Sequence, residues 1–161
     1  MKNKILIISV LFLFVATMNV FSQTWQSYNF STDGLPLSIS FPKQPTKKIT
    51  EKTTKNYNYT SVQDGVIYVA QATQAKKNLP FSVVEKSLTK ITTKAKEVQS
   101  QGDYTLNGYK GKQARYQTPK GVYTELRLVV VDNVVYQLMV LSETAYPQNA
   151  EEFFKTANFG K

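Results

Sequence analysis

The chain has 161 residues, a formal net charge of +9, and neither cysteine nor histidine. Without cysteine it forms no disulfide, zinc–thiolate site or thiol nucleophile. Without histidine it lacks the usual general base and the commonest metal ligand. Catalysis by paired carboxylates stays open in principle, but the eleven acidic residues are scattered along the chain. We therefore predict no catalytic residues, no metal, no cofactor and no enzymatic activity.

The first 22 residues have the layout of a secretory signal peptide. Two lysines among the first four residues precede the almost unbroken apolar run Ile5–Ala16, and the small residue Ser22 ends the segment. The run is shorter than the roughly 20 residues of a membrane-spanning helix; the alternatives are an uncleaved anchor or a buried strand. We predict export to the periplasm or the exterior, and one mature domain, 23–161, that begins at Gln23.

The positive charge limits the class of partner. Removal of the leader takes away two lysines and leaves about +7 on the mature domain, which can attract nucleic acid, anionic lipid or acidic polysaccharide. No nucleic-acid-binding motif is present, so we predict no nucleic-acid partner. The possible partners are an anionic ligand, a lipid head group or another envelope protein. The alternative is that the lysines serve solubility and bind no specific partner.

Turn residues at short intervals predict strands in the first half of the mature chain. Trp25–Phe30 and the strictly alternating Leu37–Phe41 come first, followed by one long, threonine-rich strand in 47–62. Asp64-Gly65 is a hairpin signal, and Val66–Ala70 returns as an apolar strand.

One clear helix is predicted next. Ser82 and Glu85 have capping-box spacing, and Gly102 is placed to end the helix. Apolar residues recur at steps of three and four to form one stripe, namely Val84, Leu88, Ile91, Ala95 and Val98. Lysines 86, 90 and 94 form a second stripe, which we predict to be solvated.

The last third predicts a three-stranded meander and a short closing helix. The strands are Tyr109–Thr118, Val122–Val131 and Val134–Leu141, and the helix contains Glu151–Phe154. Both faces of the last two strands are apolar, so both should be covered. We therefore predict an α+β fold: an antiparallel sheet with helices on both faces, an α/β/α sandwich.

This layout resembles that of the PsbP-like superfamily, which includes PsbP and the DcrB-type proteins. The resemblance is carried by Ser40-Phe41-Pro42, the helix before Gly108–Gly111, the strand–turn–strand Arg127–Tyr136, and Glu152–Lys155 followed by Asn158-Phe159. It covers nearly the whole mature chain and implies the α/β/α sandwich. Members of the superfamily have unrelated roles, so the resemblance implies no function and no site residues.

One cluster of residues is a candidate site. If Pro119-Lys120-Gly121 forms a three-residue loop, Arg115 lies opposite Glu125 and on the same face as Arg127. The two arginines are then anion-binding candidates, with Glu125 and Tyr136 in support, because arginines bind carboxylates and tyrosines can stack against sugars. The alternative is a structural ion-pair cluster on a covered sheet face.

Two hypotheses on function follow. The first is an exported, non-catalytic accessory or binding domain. The second is a ligand-binding or enzymatic domain that acts on an anionic small molecule or glycan through Arg115 and Arg127.

Overall fold

The computed structural model describes residues 24–160. The predicted signal peptide and Gln23 lie outside the described residues, so that interpretation stays a prediction. The strands are β1 Gln26–Asn29, β2 Leu37–Phe41, β3 Thr46–Glu51, β4 Lys55–Gln63, β5 Val66–Gln74, β6 Glu97–Leu106, β7 Tyr109–Gln117, β8 Tyr123–Val131, β9 Val134–Ser142 and β10 Asn158–Phe159. A 3-10 turn spans Phe30–Asp33, and the α-helices are α1 Ser82–Thr92 and α2 Ala150–Lys155.

The strands form two antiparallel sheets. The larger sheet has seven strands in the order β3-β4-β5-β9-β8-β7-β6, and the smaller has three in the order β1-β2-β10. Because side chains alternate along each strand, the seven-stranded sheet has two faces with different coverings. We call them the sandwich face, covered by the small sheet and α2, and the helix face, which carries α1.

The sandwich face holds the larger part of the hydrophobic core. Tyr57, Tyr68 and Tyr136 of the large sheet are buried there against Phe41 of the small sheet and Phe153 of α2. Phe153 is fully buried and lies with its ring centroid 5.4 Å from that of Phe41 and 5.5 Å from that of Tyr68. Aromatic burial therefore fastens the small sheet and α2 to the large sheet.

The helix face has a smaller core. Val84 and Leu88 of α1 pack with Ala114 of β7 and with Leu126 and Leu128 of β8. The helix contacts β7 and β8 and leaves the half of this face formed by β3, β4 and β5 without a covering helix among residues 24–160. Leu88, which lies in the middle of the apolar stripe predicted for the helix, is buried.

The predicted α/β/α sandwich, and with it the sheet covered by helices on both faces that the resemblance implied, is wrong. The fold is predominantly β, with two sheets and two short helices. Both faces of β8 and β9 are covered, as their apolar residues require, but a second sheet supplies most of the cover on one face. Burial of apolar surface is non-directional, so the pattern indicated a cover without indicating its secondary structure.

Two predicted elements have different bounds. The helix ends at Thr92 instead of reaching Gly102, and residues 97–106 form β6, which pairs with β7 along almost its whole length. The capping box is also absent, since the N-cap residue is Phe81 and it makes no side-chain cap hydrogen bond. The long strand predicted in 47–62 is a hairpin, because a turn at residues 52–54 separates β3 from β4.

Candidate functional site

The turn between β7 and β8 sets the register of the candidate site. Gly121 has a φ of 85°, and the amide of Thr118 donates to the carbonyl of Val122 at 2.9 Å. Three residues form the loop, so Arg115 lies directly opposite Glu125, and Arg127 lies opposite Gln113. The predicted register is confirmed, and all four residues lie on the sandwich face.

Arg115 and Glu125 form an ion pair across the two strands. The Nη2 of Arg115 donates to Oε1 of Glu125 at 2.5 Å. The Glu125 side chain is only 3% exposed, whereas that of Arg115 is 40% exposed and its guanidinium lies 4.9 Å from the ring centroid of Tyr146. The partly exposed cation therefore neutralises a buried anion, which would otherwise be costly to desolvate.

Arg127 has the reverse arrangement. Its side chain is 8% exposed, and its Nη2 donates to the carboxylate of Glu151 on α2, which is 57% exposed. The guanidinium lies 4.4 Å from the ring centroid of Phe154 and 5.3 Å from that of Tyr104, and its Nη1 donates to the carbonyl of Leu126. Its Nε is buried without a hydrogen-bond partner among the described residues.

These side chains line an open cleft of about 250 Å³. Its lining consists of polar groups from β6, β7, β8 and α2, namely Ser100, Gln113, Arg115, Glu125, Arg127 and Glu151, together with Ala114. Two cations, Arg115 and Arg127, and two anions, Glu125 and Glu151, line it, so the cleft is charge-balanced. In residues 24–160 no three acidic side chains come close enough together to hold a metal ion.

The two tyrosines beside the arginines remain neutral phenols near pH 7. Burial raises the pKa of Tyr104, and the charge of Arg127 opposes that shift only partly. Burial likewise raises the pKa of Tyr146. Both rings therefore offer the arginines an uncharged π-face.

Tyr136 is not part of the cleft, although it shares the sandwich face. Its ring packs against that of Phe159 with centroids 4.7 Å apart, and its hydroxyl is buried without a hydrogen-bond partner in the described part of the chain. Sequence reasoning missed Glu151 as the partner of Arg127. Its position at the start of the closing helix was recognisable, but the contact spans 24 residues and depends on how α2 packs.

Comparison with known proteins assigns no family. No family model matches the chain, and no curated protein matches it significantly. A solved protein from Bacteroides thetaiotaomicron VPI-5482 has 12% sequence identity and a TM-score of 0.48, covering 78% of this chain and 45% of its own. The chain thus spans less than half the length of that protein. In the described range neither helix is long and apolar enough to cross a bilayer.

Proposed function

We propose that the protein is exported and acts as a non-catalytic accessory or binding domain. The leader-like residues 1–22 support export, and the absence of histidine and cysteine from the sequence removes the usual general base and the Ser-His and Cys-His nucleophile pairs. The observation that carries the proposal is that both arginines of the candidate cleft already have carboxylate partners. A cluster that is neutralised from within suits attachment of α2 to the sheet better than capture of an anion.

The anion-binding alternative has one specific observation in its favour. Glu151 is 57% exposed, so a ligand carboxylate could replace it against Arg127 without moving the sheet. Such a ligand would enter the cleft of about 250 Å³ and contact Arg115 and Arg127 together.

A ligand screen separates the two functions. The purified protein is tested with small mono- and dicarboxylates, inorganic phosphate and acidic oligosaccharides, with the melting temperature and calorimetric heat as readouts. The accessory-domain proposal expects no ligand-dependent stabilisation for the wild type or for Glu151→Gln. The anion site would be established instead if a ligand stabilised the wild type, stabilised Glu151→Gln more strongly and did not stabilise Arg127→Lys. Lysine keeps the positive charge at position 127 but loses the planar guanidinium group that binds a carboxylate through two hydrogen bonds.

Export is tested by intact mass. The processed protein is expected to begin at Gln23, with or without cyclisation to pyroglutamate. Mature material that retains residues 1–22 would contradict the export proposal.

A further inference from the structure

The excess positive charge is concentrated in one stretch of the chain. Residues 76–120 contain nine lysines and one arginine against three acidic residues, a net charge of +7. Residues 121–160 contain two basic and five acidic residues, a net charge of −3. Residues 24–75 contain five lysines and three acidic residues, a net charge of +2. The stretch with the largest excess therefore contains α1 and its flanking segments.

Within this stretch, a set of exposed lysines lies on α1 or within six residues of its ends. We call it the α1 basic surface, and it consists of Lys76, Lys77, Lys86, Lys90, Lys94 and Lys96. None of the six has a carboxylate within ion-pair distance in the described residues, since the ion pairs there involve Lys47, Lys112, Arg115 and Arg127. The six lysines of this surface therefore stand without direct ion-pair partners in the described part of the chain.

Helical geometry directs two of these lysines straight out from the sheet. Successive residues are rotated by about 100°, so Lys86 lies about 200° around the helix from both Val84 and Leu88, and Lys90 about 200° from Leu88. Val84 and Leu88 are buried against the sheet. The nearest acid on the helix, Glu85, lies beside Lys112, with its Oε1 3.9 Å from that lysine's Nζ.

We propose that the α1 basic surface docks the protein on an anionic lipid bilayer. The inference rests on the proposed export, which brings the protein to the cell envelope. Six exposed lysines without ion-pair partners, two on α1 and four in the segments beside it, suit an extended array of negative charges better than one small anion. Each basic residue near an anionic bilayer contributes about fivefold to binding. The attachment is electrostatic, so it weakens as the Debye length falls from about 10 Å at 0.1 M salt to about 3 Å at 1 M.

The test is co-sedimentation of the purified exported protein with vesicles. One set contains equal parts phosphatidylglycerol and phosphatidylcholine, and the other contains phosphatidylcholine alone. We expect binding to the anionic vesicles at low salt, with loss of binding at about 1 M salt. The variant K86Q/K90Q/K94Q should bind about 100-fold more weakly, since it loses three such contributions.

The matched control is K43Q/K48Q/K52Q, which removes three exposed lysines from the β2–β4 region and changes the net charge equally. It should bind within a few-fold of the wild type, and both variants should keep the wild-type melting temperature. Equal losses in the two variants would show that net charge, and not the α1 basic surface, drives binding.

Three further outcomes would overturn the proposal: no binding to anionic vesicles at low salt, binding to an acidic polysaccharide alone, or equal binding to neutral vesicles. The last would implicate the apolar groove of about 550 Å³ around Val62, Ile67 and Leu141 instead. The outcomes with vesicles do not bear on the ligand screen of the arginine cleft. Binding of an acidic polysaccharide by the α1 basic surface would be weakened by K86Q/K90Q/K94Q and not by Arg127→Lys, so the two proposals succeed or fail separately.

Discussion

The two apolar faces of the seven-stranded sheet are covered by different elements. The sandwich face excludes water with a second sheet and α2, and its core is rich in interlocking aromatic rings. The helix face relies on one eleven-residue helix, which packs a small aliphatic cluster against β7 and β8. The contrast suggests that the sandwich face carries most of the stability, while the helix face is free to present charge.

The ion pairs on the two faces also differ in how deeply their members are buried. On the sandwich face the two pairs of the arginine cleft each have one buried member, Glu125 or Arg127. On the helix face Lys112 pairs with Asp103, whose side chain is 87% exposed. An ion pair gains importance as its surroundings exclude water, because an unpaired buried charge is costly and an exposed one is not.

The largest effect is expected from Phe153→Ala on the sandwich face. The substitution empties a fully buried site bordered by Phe41, Tyr68 and Trp25, and it should cost about 3–5 kcal/mol of unfolding free energy. Urea denaturation measures the change. A loss below about 1 kcal/mol would mean that the aromatic core does not hold α2 and the small sheet in place.

Leu88→Ala is the matching test on the helix face. Leu88 is buried, but fewer elements surround it, so we expect a loss of about 2–3 kcal/mol, at the lower end for leucine truncations. Lys90→Ala, on the solvated side of α1, should change stability by less than about 0.5 kcal/mol. Similar losses for the two variants would show that the buried face of α1 is assigned wrongly.

Arg115→Gln tests the buried ion pair. It leaves the carboxylate of Glu125 buried without its cationic partner, and the expected cost is about 2 kcal/mol. The matched control on the helix face is Lys112→Gln, which frees only the exposed carboxylates of Asp103 and Glu85 and should have no measurable effect on the unfolding curve. If both variants unfold like the wild type, the Arg115–Glu125 pair contributes nothing to stability.

The smallest effect is expected from Tyr136→Phe. It removes a buried hydroxyl that has no hydrogen-bond partner within residues 24–160, so stability near pH 7 should stay the same or rise by up to about 1 kcal/mol. Burial also raises the pKa of Tyr136. The hydroxyl therefore ionises more readily in the unfolded chain than in the folded protein. The wild type keeps its full free energy of unfolding below the unfolded tyrosine pKa of about 10 and loses part of it as the pH rises beyond that value.

The phenylalanine variant should accordingly keep more of its stability than the wild type above about pH 10. Melting curves across the alkaline range check this. A clear loss of stability near pH 7 would reveal a hydrogen-bonding role for the Tyr136 hydroxyl.

Local signals in the sequence determined much of the sheet. Alternation predicted β2, apolar runs between turn signals predicted β8 and β9, and Asp64-Gly65 predicted the hairpin of β4 and β5. The turn chemistry at Pro119–Gly121 predicted both the hairpin of β7 and β8 and its register. These features depend on neighbouring residues alone, because side-chain period and backbone preference at a turn are local properties. The pairing of Arg115 with Glu125 followed from that register.

Contacts between distant parts of the chain decided the features that the local sequence pattern left ambiguous. Ala95 and Val98 continued the helical spacing of Leu88, yet residues 97–106 form β6, whose backbone hydrogen bonds are made to β7, a strand that follows it in the chain. The partner of Arg127 was likewise settled by packing, since Glu151 reaches it only when Phe153 and Phe154 bury α2 against the sandwich face. An apolar strand face determines that something must cover it, but whether a sheet or a helix does so depends on contacts between residues far apart in the chain.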